Sequence, residues 1–418
     1  MTAADDGSFD SKTAVGRWRL LALLGLGELL AMSPWFSASA VAPLITEELS
    51  LSGLDLPKLT IAVQLGFVVG ALLLAATGAA DVLPARALFL AGALGAAVAN
   101  LGFAYLADGL GGAVIFRFVT GFALAGVYPV GMKIVTGWFR QERGLAIGIL
   151  VGALTVGASL PYLFRALGAL SGLDWRAVVG SASVAGVLGG LLVGASVGRG
   201  PFDVAAPRFS IAVARRAFAE PSVRLANLGY LGHMWELYAM WTWIPLFFAA
   251  SFTAAGLTDP AVASFAAFLV VAAGGLGCAV AGLVADRIGR TTLTIGAMAV
   301  SGSTAVVIGF LFGAPPALTL VVGVIWGISV VADSAQFSAA VTELGPPGTA
   351  GSALALQTAS GFLLTGITIT LVGLLSANDA LGWRLVFALL AVGPLVGIAA
   401  MWRLRRRPEA VRMANGRR

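Results

Sequence analysis

An all-α integral membrane protein of 12 transmembrane helices, arranged as two pseudo-symmetric six-helix bundles, is the fold class that three observations predict. The composition is 59% hydrophobic and 11% charged with 55 glycines, and the mean hydropathy of +0.94 lies outside the range of soluble domains. Charged or Gly/Pro breaks cut the 418 residues into twelve apolar segments, each near the roughly 20 residues that a hydrocarbon core of about 30 Å demands. One stretch occurs twice: Glu28 to Trp35 is ELLAMSPW and Glu236 to Trp243 is ELYAMWTW, 208 positions apart and half the chain. No run of short alternating strands, the mark of a membrane barrel, is visible.

Residues 1–17 are polar and are expected to be disordered. Arg17 and Arg19 followed by LLALLGLGELLA could pass for a signal peptide. Glu28 interrupts that apolar core, and its repeat partner is internal, so an uncleaved first helix is expected over 18–45. Further spans are expected at 58–80, 86–107, 112–138, 143–170 and 175–198, which close a first bundle over 18–198. The segment 199–222, with Pro201, Pro207 and Pro221, is the only long polar connection and reads as a cytoplasmic linker. A second bundle over 223–403 follows, with spans at 223–250, 260–284, 291–313, 317–343, 349–376 and 382–403, then a basic tail over 404–418. Trp175-Arg176 and Trp383-Arg384 repeat at the same 208-residue offset, at the outer ends of the sixth and twelfth spans, where such pairs anchor helices in the interface.

Of 26 Lys and Arg residues, 20 fall on one side if the N-terminus is cytoplasmic, and only Lys58, Arg176 and Arg384 on the other. Basic residues are retained inside, so both termini are placed in the cytoplasm and the chain in the inner membrane. The net charge of +6 then describes topology and contact with anionic lipid, not nucleic-acid binding. The single cysteine, Cys278, excludes a disulfide framework and a thiol metal site.

Ionisable residues inside apolar spans are costly and mark function by default. Glu28 and Glu236 lie near mid-membrane, and His233, the only histidine, shares a helix face with Glu236, Met240 and Trp243. Arg117 is in the fourth span and Asp333 in the tenth. Lys133 and Arg165 are close enough to helix ends to snorkel. The glycines at 144, 148 and 152 permit close helix contact.

Gly282 to Arg290, GLVADRIGR, matches the G-x-x-x-D-R-x-G-R loop of the major facilitator superfamily, and Arg117-x-x-x-Gly121-x-x-x-x-Gly126 is similar to that family's arginine signature. The equivalent loop after the second span is worn down to Asp81 and Arg86. With twelve spans, two halves and a central linker, the chain resembles this superfamily over about 18–403, and weakly resembles its cyanate-permease-type members. The resemblance implies that spans 1, 4, 7 and 10 line a central cavity, where Glu28, Arg117, His233, Glu236 and Asp333 all fall, and that Asp81, Asp286, Arg287 and Arg290 form a conformational latch. Trp35 and Trp243 close the repeated stripe and join the candidate cavity residues.

No zinc-peptidase, Gly-x-Ser-x-Gly or phosphate-loop pattern is present, so no enzyme activity, cofactor or metal is expected. The expected function is a monomeric, proton-coupled secondary transporter of a small organic solute or anion, working by alternating access. Proton-driven drug or metabolite efflux is the alternative; a non-transporting sensor or a lipid-moving protein is the second. Glu236 with His233 is the expected proton carrier, and Glu28 is open between carrier and substrate ligand. The residues leave the charge of the substrate open.

Overall fold

The structure is a computed structural model that describes residues 11–52, 55–140, 142–203, 208–375 and 380–418. No strand occurs among them. Eleven helices among the described residues are long and apolar enough to cross a membrane. The twelfth crossing, the first in the chain, is made of three pieces: α1 (Ser11–Ala31), α2 (Ser37–Ala40) and α3 (Ala42–Glu48). Arg17 in α1 meets Glu142 just before α9, and Glu48 meets Trp175 and Arg176 just after α9 ends. The broken stretch therefore runs the full depth that α9 (Arg143–Ser171) runs in one piece. Helix begins at Ser11, inside the stretch expected to be disordered; residues 1–10 lie outside the described residues.

The first half continues with α4 (Leu56–Thr77), α5 (Ala79–Val82), α6 (Ala85–Leu106), α7 (Leu110–Leu124), α8 (Tyr128–Trp138), α9 and α10 (Trp175–Ser196). A short helix, α11 (Ile211–Ala219), lies within the linker, where Pro-rich sequence gave no such expectation. The second half is α12 (Pro221–Ala254), α13 (Pro260–Ile288), α14 (Arg290–Phe310), α15 (Pro316–Ala332), α16 (Ser334–Leu344), α17 (Ala350–Leu375), α18 (Ala380–Leu390) and α19 (Val392–Arg405), followed by a 3-10 turn over Pro408–Gly416.

The fourth crossing of each half is broken at an equivalent place, after Leu124 and at Asp333, so the break at 125 and that at 333 repeat the 208-residue offset. The break in the first crossing is not repeated. Pro34 has no N–H to give and clashes with the preceding turn, whereas its counterpart Thr242 sits within continuous α12 and donates to the Tyr238 carbonyl at 2.6 Å.

Two seams join the halves. Along the first, α9 lies on α13 through glycines: a Cβ on Gly148 would come 2.7 Å from the Cys278 carbonyl oxygen, one on Gly152 2.8 Å from that of Gly275, and one on Gly282 2.8 Å from that of Gly144. Only residues without side chains let backbones approach so closely. Along the second, α4 lies on α17, with Thr365 donating to Gln64 at 2.6 Å and a Cβ on Gly366 falling 3.7 Å from Ile61 Cγ2.

Candidate functional site

Between the halves lies a cavity of about 660 Å³. Its mouth is at the helix ends that carry Arg140, Glu142, Arg143, Asp286, Arg290 and Glu343, the face on which the chain's C-terminal turn also sits. Its walls are Tyr128, Met132, Ile147, Val151 and Leu154 from the first half and Tyr230, Met234, Leu237, Tyr238, Trp241, Leu354 and Phe362 from the second.

Toward the opposite face an aromatic plug closes it. The break after α1 turns Trp35 and Phe36 inward. Trp35 meets Phe67 at 5.2 Å and Phe362 at 5.9 Å between ring centres, and Phe36 meets Trp241 at 5.9 Å and Tyr238 at 6.3 Å. Each pair spanning the halves couples area burial to a preferred ring geometry. Trp243 is held aside, donating to the Ile369 carbonyl at 3.2 Å.

Arg117, expected to charge the cavity, does not reach it. Its guanidinium, 1% exposed, donates to the carbonyls of Pro34 (3.0 Å) and Trp35, to Ser37 Oγ (3.0 Å) and to Asn100 Oδ1 (2.7 Å). The unwound turn leaves carbonyls without helical donors, and in a membrane only protein can satisfy them. Arg117 is the clamp of that turn.

The two repeated glutamates differ. Glu236 is 1% exposed and accepts from Trp326 Nε1 at 2.6 Å and Ser301 Oγ at 2.9 Å. Glu28 is fully buried and neither carboxyl oxygen has a partner. It fits only because Gly131 has no side chain, since a Cβ there would stand 2.3 Å from Glu28 Oε2. His233 Nδ1 and Asp333 Oδ1 form a buried pair at 2.8 Å, while His233 Nε2 has no partner. Neither this pair nor either glutamate is among the cavity's lining residues, although Met234 and Ser334, next in sequence to His233 and Asp333, are.

At the mouth, the expected latch residues pair within their own halves. Lys133 reaches the helix end, as its long stem allows, and bonds Asp81 and the Ala80 carbonyl. Arg290 makes two bonds to Glu343 at 2.6 and 2.7 Å, one to Gln336 at 2.8 Å, and contacts Asp286 at 3.3 Å. Only Asp286 faces the other half: its Oδ2 would lie 3.5 Å from a Cβ on Gly144, in the first turn of α9, where a helix N-terminus favours a carboxylate. Arg287 is exposed and its backbone carbonyl accepts from Arg417 at 3.1 Å.

Sequence reasoning missed the aromatic lining and the partners Asn100, Ser301 and Trp326. Asn100, a lone amide in an apolar span, was the one available signal. The aromatics read as ordinary bilayer-compatible sequence.

The sequence profile described as Major Facilitator Superfamily matches residues 24–332. No curated protein matches the chain in sequence. Among solved structures the chain is similar to a D-xylose-proton symporter, with a TM-score of 0.72 at 16% identity, covering 94% of this chain and 98% of that one. It is similar also to a bacterial homolog of the human lysosomal transporter Spinster, inward-facing and unoccupied, with a TM-score of 0.71 at 16% identity over 93% and 97% of the two chains. The nucleoside transporter NupG gives a TM-score of 0.69 at 14% identity over 92% and 99%.

Proposed function

The chain belongs to the Major Facilitator Superfamily, and from that premise we propose that this transporter carries a small organic solute by alternating access, driven by protons, across the inner membrane with both termini cytoplasmic. The observation that carries the proposal is the cavity lined by both halves, open at one face and sealed at the other by the aromatic plug. A two-sided lining that a rocking motion can expose on either face is what alternating access needs.

Proton coupling rests on Glu28. A carboxylate buried with no partner carries a desolvation cost of several kcal/mol, so protonation and deprotonation there shift which arrangement of the first crossing is stable. Glu236, bonded at both oxygens, is the weaker carrier. Asp286 against α9 is the latch contact that opens and closes between states.

The test uses a Cys278→Ser background with Met234→Cys as a reporter in the cavity wall. A membrane-impermeant maleimide should label Met234→Cys from both faces, and a disulfide between Ile61→Cys and Gly366→Cys should stop labelling from the plugged face only. Absence of labelling from that face in the uncrosslinked protein would refute alternating access.

A further inference from the structure

We infer that the cavity selects an uncharged, flat, amphipathic solute, an aromatic molecule bearing a hydrogen-bond acceptor, and discriminates against both carboxylates and amines. This deepens the transport reading and rests on it for the word solute alone; as a binding site the cavity stands by itself. The basis is where the charges are. Every charged residue in the lining is at the mouth, and the deeper wall has none. Among the described residues the five buried acidic and basic side chains, Glu28, Arg117, His233, Glu236 and Asp333, are absent from the lining. Arg117 is the one that decides: both of its terminal nitrogens are held by the turn at Pro34 and Trp35, away from the lining, so its charge does not meet an anion in the cavity.

What the deep wall offers is ring faces and neutral polar groups. Tyr238, Trp241 and Phe362 form its floor, with the hydroxyls of Tyr128 and Tyr230 and that of Thr155 above them. Trp241 Nε1 is buried without an acceptor in the protein. An orphaned donor is an unmet hydrogen bond, and a turn of the ring toward the cavity presents it to a ligand carbonyl, ether or hydroxyl oxygen. Ring faces take flat ligands at offset-stacked or edge-on geometry. A charged ligand would exchange its hydration for neutral groups only, the exchange that buried charges do not tolerate. The volume of about 660 Å³ is within the range of sites for drug-sized molecules.

Three probes of one shape separate the possibilities: 2-naphthalenemethanol, 2-naphthoate and 2-naphthylmethylamine, titrated calorimetrically against the purified full chain in detergent at neutral pH. The alcohol is expected to bind at least tenfold more tightly than either ion, and Trp241→Leu to weaken it at least tenfold. Phe362→Leu gives a second loss should Trp241→Leu not fold. Tighter binding of the carboxylate or the amine, no binding by any probe, or alcohol binding indifferent to both Trp241→Leu and Phe362→Leu would each overturn the assignment. Failure of alternating access appears separately, as Met234→Cys labelling confined to one face while the probe preference persists.

Discussion

At the scale of single residues, two buried groups carry the sharpest expectations. Arg117 satisfies two carbonyls, a hydroxyl and an amide oxygen at once, and hydrogen bonds from a charged donor are worth about 1.5–3 kcal/mol each. Arg117→Met should therefore destabilise the protein by about 2–5 kcal/mol, with Arg117→Lys recovering part of it, both read by thermal unfolding in detergent; an unchanged unfolding temperature would mean that the turn holds itself. Gly131→Ala should cost about 1–3 kcal/mol by overpacking against Glu28. Glu28→Gln alone should keep the fold, because the amide has the acid's shape, yet flatten the pH dependence of Met234→Cys labelling; a pH profile matching the parent's would remove Glu28 from coupling. That the charges fall in spans 1, 4, 7 and 10 was legible in the sequence. Which charges face water was not legible, because Arg117 is turned away by a break in a neighbouring helix that lies 82 residues earlier at Trp35.

Helices and turns bring a different kind of test. Twelve apolar segments could be counted from hydropathy, and Pro34 stood in view within the first, yet the count treats a span as unbroken and so passes over the turn that builds the plug. The linker helix α11 was equally invisible, since nine residues with two arginines among them are too short to give a bilayer signal. At the outer end of the first crossing, Glu48 accepts from Arg176 and from Trp175 Nε1 at 2.6 Å, and these bonds, Arg176 first, hold its carboxyl below the usual carboxylate range. A depressed carboxylate contributes stability that is present above the unfolded value and is lost as pH falls through the folded one. Unfolding of the wild type should thus lose this contribution below about pH 4, while Glu48→Gln should be less stable at neutral pH and lack that part of the acid limb. The effect is small because the pair is exposed. Identical acid limbs in the two proteins would show that the pair does not anchor the crossing.

For the whole molecule, the orientation is testable at four exposed positions. Cysteines replacing Ser52 and Asp259 should react with impermeant reagent in intact cells, and those replacing Arg208 and Gly348 should not; reaction at Arg208→Cys would invert the topology. Gly148→Val should force α9 from α13, because the added side chain meets backbone at Cys278 and not a flexible tip, and labelling of Met234→Cys from either face should change together with a fall in thermal stability. Retained stability with normal labelling would mean that the seam yields freely. The glycine seam also has a kinetic consequence. Surfaces joined by interlocked side chains must unlock rotamers before they slide, whereas two bare backbones have none to unlock. The halves then meet as a smooth bearing, and the rate of inversion should rise only gently with temperature, so that a carrier built this way keeps cycling in the cold where an interlocked one stalls.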